Sequence, residues 1–292
     1  MNEKIALITG ATSGIGKAAA TALAKQGFTV IIHGRDQQRT KIVCEEIIGL
    51  TGNQKVNFLT ADMFSLTEVQ RLATEFKAKY PLLDVLVNNA GGIMNKDREI
   101  TVDGHEKTIA LNLLAPFLLT ELLLSSLKKS RDGRIINVSS NSHQLNAKPD
   151  IKDLELEKNY DPLRAYGNSK LFLIWVTQRL AAALKQDKQP VTVNTVHPGA
   201  VATNFGVNSN LGSIFNIIGK LLRPFFKTAE KGADTIVYLA TSPDIKNVSG
   251  EYFVDRKPAK VAGKYHTRGN EEVIWNYCEK QTGSFVPANL KS

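Results

Sequence analysis

The sequence predicts an α/β protein whose parallel sheet is covered by helices on both faces. Six short runs rich in valine and isoleucine each end at a polar or glycine turn, which is typical of buried strands. Amphipathic segments alternate with them, near 15–26, 37–50, 66–79, 104–129 and 165–186. Such alternation favours parallel strands joined by right-handed crossovers. The candidate strands are Ile5–Thr9, Phe28–His33, Val56–Thr60, Val85–Asn88, Arg134–Ser139 and Val191–His197.

A glycine-rich turn, TGATSGIG at 9–16, follows the first strand and leads into an alanine-rich helix that Gly27 ends. Free N–H groups and the dipole at a helix N-terminus favour a pyrophosphate. Glycines allow the tight turn and the close approach of phosphates. An ordinary turn is the alternative, but the position at the first strand–helix junction favours dinucleotide binding. The predicted contacts are Gly10, Thr12, Ser13, Gly14, Ile15 and Gly16.

The end of the second strand reads His33-Gly34-Arg35-Asp36 and indicates which dinucleotide binds. A site specific for NAD places an acidic residue near this point. Gly34 leaves space where that carboxylate would stand, and the Arg35 fork can pair with a 2′-phosphate. We therefore predict that NADP(H) is preferred over NAD(H), with a plain surface arginine as the alternative. Asp36 fits better as the N-cap of the next helix.

Two further strand ends carry candidate cofactor contacts. Asp62, with Met63, either accepts a hydrogen bond from the adenine amino group or caps the helix near Ser65. Asn89, Ala90 and Gly91 follow the fourth strand, where small residues let the backbone pass beside the adenosine ribose. Paired asparagines are also common turn formers.

Tyr166 and Lys170 lie four residues apart in YGNSK at 166–170, on one helical face. A free phenol is a poor base at neutral pH, and a nearby ammonium lowers its pKa. Tyr166 can then exchange a proton with a carbonyl or alcohol oxygen, while Lys170 holds the nicotinamide ribose. The alternative is a buried-edge tyrosine beside a solvated lysine.

Other polar residues fall where open α/β sheets bind ligands. The Ser139-Ser140 pair ends the fifth strand and offers a hydroxyl for the substrate oxygen. Asn112 interrupts an apolar helix, either as a surface position or at a kink that holds a water leading to Lys170. His143 is a candidate for the pocket mouth, and His197 for satisfying a backbone group.

Composition excludes several classes of function. The 292 residues include 37 lysines and arginines against 28 acidic residues, a formal net charge of +9. The positive charge is dispersed and no nucleic-acid motif accompanies it, so no nucleic-acid partner is expected. Two distant cysteines and isolated histidines predict no metal. No apolar run has the length of a transmembrane span and no signal peptide is evident, so a cytoplasmic protein is expected.

Together these motifs resemble those of the short-chain dehydrogenase/reductase family. Six features occur in family order within residues 1–204: TGATSGIG at 9–16, NNAG at 88–91, Asn112, the Ser140 strand end, YGNSK and PG at 198–199. The resemblance implies a Rossmann-type sheet of seven parallel strands in the order 3-2-1-4-5-6-7. It also implies that Asn112, Ser140, Tyr166 and Lys170 act together. Further cofactor contacts that it implies are Pro198, Gly199, Val201 and Thr203.

One departure from the family pattern narrows the resemblance. Ser140 and Tyr166 are separated by 26 residues, about twice the usual family gap. Three features are similar to the retinol dehydrogenase and WW-domain oxidoreductase branch: the insert itself, RPFFKT at 223–228 and SGEYFVD at 249–255. That branch tends to prefer NADP(H). Many of its members carry a membrane anchor before the first strand, whereas this sequence begins almost directly with the strand.

We expect one domain over 1–292, with a substrate lid at about 205–226 and a C-terminal extension at about 256–292. The lid segment has apolar residues at helical spacing, which suits a lipophilic substrate. It could instead pack on the core, touch a membrane surface weakly through its basic residues, or contact another copy. The helices at 104–129 and 165–186 could likewise pair with copies of themselves, as in dimers of the family.

The predicted function is hydride transfer between NADP(H) and a lipophilic aldehyde, ketone or alcohol, by an enzyme similar to retinol dehydrogenases. The main alternative is a protein that senses NADP(H) without turnover; it would be expected to lack the tyrosine or the lysine. Another is a scaffold at a membrane surface that acts through the helix at 211–226.

Overall fold

The computed structural model describes residues 3–201 and 227–286, and within them the strands form one sheet in the order β3-β2-β1-β4-β5-β6-β7-β8. The order predicted for seven strands is confirmed. All pairs are parallel except β7 with β8. The strands are β1 (Ile5–Ile8), β2 (Thr29–Gly34), β3 (Val56–Thr60), β4 (Val85–Asn88), β5 (Gly133–Val138), β6 (Val191–His197), β7 (Tyr252–Val254) and β8 (Lys257–Pro258).

The eighth strand is an addition to the prediction. It forms a hairpin with β7 through Asp255 and Arg256, both of which have positive φ angles (47° and 64°). Positive φ at both central residues is the conformation of the two-residue turn that best fits strand twist. Asp-Arg carries no glycine or asparagine to signal such a turn, so the sequence did not reveal β8.

Helices cover both faces of the sheet. Helices α1 and α8 and residues 43–48 of α2 pack on one face. Helices α3, α5, α7 and α9 pack on the other. Strands β2, β4 and β5 are buried along their whole length, as expected for a sheet covered on both sides. The helices are α1 (Gly14–Lys25), α2 (Gln37–Thr51), α3 (Leu66–Lys79), α4 (Lys107–Ile109), α5 (Ala115–Lys128), α6 (Ser142–Leu145), α7 (Pro162–Gln186), α8 (Ala229–Thr241) and α9 (Arg268–Thr282).

The predicted helix at 104–129 needs correction. Helical structure begins at Lys107, and a π-helical turn at Ala110–Leu114 separates α4 from α5. The Glu106 carboxylate caps the start by accepting hydrogen bonds from the N–H groups of Thr108 and Ile109 (2.8 and 2.9 Å). A single wide turn of this kind is frequent at functional sites, and here it contains Asn112.

In the part of the chain that the structure describes, Lys107–Lys128 is long and apolar enough to cross a membrane by length and composition. However, 78% of its most apolar stretch is buried inside the protein. The segment packs among α3 and α7 in the larger core cluster. A helix buried in a protein core passes the same test of length and composition.

The C-terminal helix α9 covers part of the face formed by α5 and α7. Its Ile274 and Cys278 are fully buried, and the Trp275 ring meets Phe117 edge-on with centroids 5.1 Å apart. Helix α9 therefore occupies part of the surface through which these helices could pair with another copy.

Candidate active site

The carboxyl ends of the strands border a cleft of about 750 Å³. Most of the predicted site residues line it, from the glycine turn at one end to Tyr166 and Val201 at the other. Asn112 lies just behind the lining. Thr203 and the expected lid at 205–226 lie outside the described residues. The structure therefore brings residues from six strand ends and α7 to one edge of the sheet.

The glycine turn is held against the end of β4 by Asn89. The Asn89 side-chain amide donates hydrogen bonds to the carbonyl oxygens of Thr9 and Gly10 (2.9 and 3.1 Å). A Cβ placed on Gly16 would lie 2.5 Å from the Asn89 amide nitrogen and 2.5 Å from the Gly10 oxygen. Gly10 has a φ of 64°, which glycine adopts without strain. The turn thus fits a phosphate cradle formed by backbone at the start of α1.

His33 braces the same turn, a role that the sequence did not signal. Its Nδ1 accepts the Gly10 N–H at 3.3 Å, so its Nε2 carries the proton that is donated to the Ala61 carbonyl at 3.1 Å. Burial lowers the pKa of His33 to about 4, which keeps the ring neutral. The imidazole therefore joins the turn to the ends of β2 and β3.

The end of β2 differs from the sequence interpretation in one respect. A Cβ on Gly34 would lie 2.3 Å from the Thr40 hydroxyl and 2.4 Å from a Thr12 methyl carbon. Gly34 therefore permits close packing of β2 against Thr12 and Thr40, instead of leaving open space. A carboxylate side chain at this position would clash unless these neighbours moved.

Two arginines border the cleft beside Gly34. Arg35 is exposed there, and the exposed Arg39 joins it from the first turn of α2. Asp36 caps α2 by accepting the Arg39 N–H at 2.7 Å, as expected from the sequence. Since that cap fixes where α2 begins, it could have placed Arg39 in the first turn of the helix, close to the end of β2.

Asp62 lines the cleft and does not cap α3. Its carboxylate accepts the Phe64 N–H at 3.1 Å in a local turn, and Ser65 is the N-cap of α3. Of the two alternatives for Asp62, helix capping is therefore excluded. A role beside the adenine stays a prediction.

Ser140 and Tyr166 hydrogen-bond through their side chains at the inner end of the cleft. The neighbouring Ser139 hydroxyl instead donates to the Lys170 carbonyl at 3.1 Å and is buried. The structure thus turns Ser140, and not Ser139, towards Tyr166.

Lys170 and Asn112 lie behind this pair. The Lys170 ammonium lies 5.6 Å from the centre of the Tyr166 ring and donates to the Val138 carbonyl at 2.9 Å. Asn112 is 1% exposed, so the surface alternative for it is excluded. Its side chain exchanges two hydrogen bonds with the Gly92 backbone (2.8 and 3.0 Å) and donates to the Ser169 hydroxyl at 3.2 Å.

Burial dominates the ionisation of the two central groups. It raises the pKa of Tyr166 above its ordinary value, although the Ser140 hydrogen bond opposes the rise. It also lowers the pKa of Lys170 to about 7. The expectation that the Lys170 ammonium lowers the phenol pKa is not met in this state, because removal from water disfavours the charge on both groups.

This burial predicts how stability depends on pH. Below pH 7 the folded protein must enclose the Lys170 charge, whereas between about 7 and 10.5 it gains stability because only the unfolded chain keeps that proton. Lys170→Met should therefore raise the melting temperature of the cofactor-free protein most below pH 7. The gain should shrink as pH rises towards 10. The penalty removed is on the order of a few kcal/mol.

Thermal unfolding of both proteins across this pH range checks the prediction. Lys25→Met, at the exposed end of α1, is the matched control because that ammonium is not buried in the cleft. A stability difference between Lys170→Met and the parent that does not vary with pH would contradict the buried charge.

No metal centre emerges from the described part of the chain. Within residues 3–201 and 227–286, no group of three or more histidine, cysteine, aspartate or glutamate side chains could hold a metal ion. His197 does satisfy a backbone group, accepting the Asn141 N–H at 3.3 Å.

A family model described as short chain dehydrogenase matches residues 4–213. Polyprenol dehydrogenase of Homo sapiens is 36% identical over 286 residues, covering 96% of this chain and 86% of the relative. Retinol dehydrogenase 12 of Mus musculus is 37% identical over 277 residues, covering 94% and 85% respectively. These relatives bear out the branch that the insert suggested.

Solved structures show the same fold. A protein from Escherichia coli CFT073, described as a short chain dehydrogenase complexed with NADPH, superposes with a TM-score of 0.67 at 25% identity. The match covers 87% of this chain and 96% of that one.

Proposed function

Because this chain belongs to the short chain dehydrogenase family, we propose that it transfers hydride between NADP(H) and a lipophilic aldehyde, ketone or alcohol. The family makes it an NAD(P)-dependent oxidoreductase of CH–OH or carbonyl groups. The observation that carries the proposal is the hydrogen-bonded Ser140–Tyr166 pair with Lys170 behind it, at the inner end of the cleft that begins at the glycine turn.

Each of the four polar residues has a distinct part in the proposed reaction. The Tyr166 hydroxyl gives a proton to the carbonyl oxygen in reduction and takes it from the alcohol in oxidation. The Ser140 hydroxyl orients that oxygen. Lys170 holds the nicotinamide ribose and, with Asn112, forms the path by which Tyr166 exchanges its proton. When bound, the nicotinamide supplies or accepts the hydride.

The preference for NADP(H) rests on charge at the end of β2. Arg35 and Arg39 border the cleft, and both can bind a 2′-phosphate with charge-assisted hydrogen bonds. An acidic side chain at Gly34 would clash with Thr12 and Thr40 unless they moved. The NADPH complex of the Escherichia coli protein supports the same choice. The remaining cofactor contacts are proposed to be those that the sequence indicated, Thr203 included.

A lipophilic substrate is supported by the names of the relatives and by apolar residues at the cleft. Leu111 and Leu145 line it, and the Leu145 side chain is 72% exposed. We propose that the chain forms one domain whose segment 205–226 covers the substrate and whose extension begins near 256. Cytoplasmic location, weak membrane contact and self-association remain predictions.

A panel of lipophilic aldehydes, ketones and alcohols tests the proposal. Each compound is offered with NADPH or NADH, or with the oxidised forms, and cofactor absorbance is followed. We expect turnover with at least one lipophilic carbonyl and a higher kcat/KM for NADPH than for NADH. Tight NADPH binding without consumption across the panel would favour the alternative of a cofactor sensor.

A further inference from the structure

His143 lies in the insert, three residues after Ser140, and is 1% exposed. The ring was expected at the pocket mouth, but it turns into the protein, and its Nδ1 lies 2.7 Å from the Ser140 carbonyl oxygen. Since a carbonyl can only accept, Nδ1 carries the ring proton. Nε2 is then an acceptor, and it is buried with no hydrogen-bond partner among residues 3–201 and 227–286.

The same short turn fixes Ser140 at both of its polar ends. The Ser140 carbonyl accepts the His143 backbone N–H at 3.2 Å as well as the ring N–H. The Ser140 hydroxyl accepts the Ser142 N–H at 3.2 Å and bonds to Tyr166. Rotation of the Ser140 peptide would therefore disturb the direction of its hydroxyl.

The turn is also packed tightly on its neighbours. A Cβ on Gly167 would lie 2.6 Å from the Ala147 nitrogen, so the backbone after α6 rests directly on the residue that follows Tyr166. On the other side, the His143 ring meets Tyr252 of β7 edge-on, with centroids 4.8 Å apart. The imidazole is thus fixed between the Ser140 turn and the edge of the sheet.

A buried acceptor without a partner costs stability, and sequences tolerate such costs mainly where a functional arrangement needs them. Leucine or phenylalanine would pack against Tyr252 without that cost, but neither could donate to the Ser140 carbonyl. An acid–base role is excluded by geometry, since the Nδ1 proton is committed to that carbonyl and Nε2 is enclosed.

We propose that His143 is a positioning residue, whose Nδ1–H holds the Ser140 carbonyl so that the Ser140 hydroxyl stays directed at Tyr166 and the substrate oxygen. The proposal rests on the proposed function. The proposal gives the insert a function. The segment that lengthens the gap between Ser140 and Tyr166 also supports Ser140.

Three variants test this role. His143→Asn keeps an N–H at the position of Nδ1, and His143→Leu has the same shape without it. Gln144→Ala removes a different hydrogen bond of α6, to the Lys260 carbonyl, and is the control for loosening this helix. We expect His143→Leu to lower kcat roughly 10- to 100-fold, as for a displaced reacting group. His143→Asn and Gln144→Ala should stay near the parent, and all three should bind NADPH as the parent does.

Equal loss of kcat in His143→Asn and His143→Leu would overturn the proposal, as would parent-like kcat in His143→Leu. If His143 had only a structural role, His143→Leu would weaken NADPH binding, and Gln144→Ala would lower kcat as well. If His143→Leu does not fold, His143→Gln replaces it, because its amide reaches the position of Nε2 instead of Nδ1.

A readout without turnover separates this proposal from the proposed function. Nitrogen-15 spectra of the histidine side chains at neutral pH should show His143 protonated at Nδ1 and His33 protonated at Nε2. His143 protonated at Nε2 would overturn the positioning role even in an active enzyme. Absence of turnover in the parent protein, with the expected spectra, would contradict only the proposed function.

Discussion

Tyr166→Phe is expected to lower kcat by ~10²–10⁴-fold while leaving the dissociation constant of NADPH unchanged. The ring is 7% exposed, so phenylalanine fills the same space and only the hydroxyl that bonds to Ser140 is lost. Without it, no group at that position can pass a proton to the substrate oxygen. Steady-state kinetics with the best carbonyl of the panel, together with NADPH titration, measures both quantities.

Tyr80→Phe is the matched control for this change. Tyr80 packs on Phe76 at the end of α3, away from the cleft, and loses the same hydroxyl. It should retain the kcat of the parent protein. Turnover by Tyr166→Phe at the rate of Tyr80→Phe would remove Tyr166 from the reaction.

Arg35→Ala is expected to weaken NADPH binding roughly 10- to 100-fold, the value of a lost charge-assisted hydrogen bond. NADH binding should not change, because NADH has no 2′-phosphate for the guanidinium to meet. Removing Arg39 as well should weaken NADPH binding further. Titration of each protein with both cofactors at one salt concentration gives the comparison, since screening weakens exposed pairs.

Lys41→Ala provides the charge control, on α2 just after Arg35. Lys41 is exposed, pairs with Glu45 and does not line the cleft, so its loss removes one positive charge without a cofactor contact. If Arg35→Ala weakened both cofactors equally, the arginine would serve the general binding of the dinucleotide and not the choice of NADP(H).

The sequence predicts the sheet well because most of its strands are buried on both faces. Val56–Thr60, Val85–Asn88 and Val191–His197 have the bounds expected from their apolar runs. Strand β7 has three residues and β8 has two, too short for periodicity to detect. The family resemblance, and not the periodicity, indicated that a seventh strand exists.

Local signals predict local structure and miss what depends on distant contacts. Asp36 was identified as a cap because its partner is three residues away. For Asn112 the sequence left a kink in the helix open as one alternative, but not its π-helical form, which accompanies hydrogen bonds to Gly92, twenty positions earlier. A helical pattern in the sequence is the same with or without that turn.

In the candidate site too, local motifs identified residues, and contacts between distant residues were missed. Motifs located the residues at the strand ends, but the bracing role of His33 requires both Gly10 and Ala61. The direction of the Tyr166 pKa also could not be read from its spacing to Lys170. It depends on burial of both groups, which the i,i+4 pattern does not contain.

The fate of deuterium carried at both hydrogen positions of C4 in the reduced nicotinamide tests the central claim most directly. The labelled NADPH is supplied with the best carbonyl substrate, and the alcohol is analysed by mass spectrometry and NMR. Direct hydride transfer predicts one deuterium on the carbinol carbon for each NADP⁺ formed. An alcohol without deuterium at that carbon, or no oxidation of the cofactor, would contradict the account.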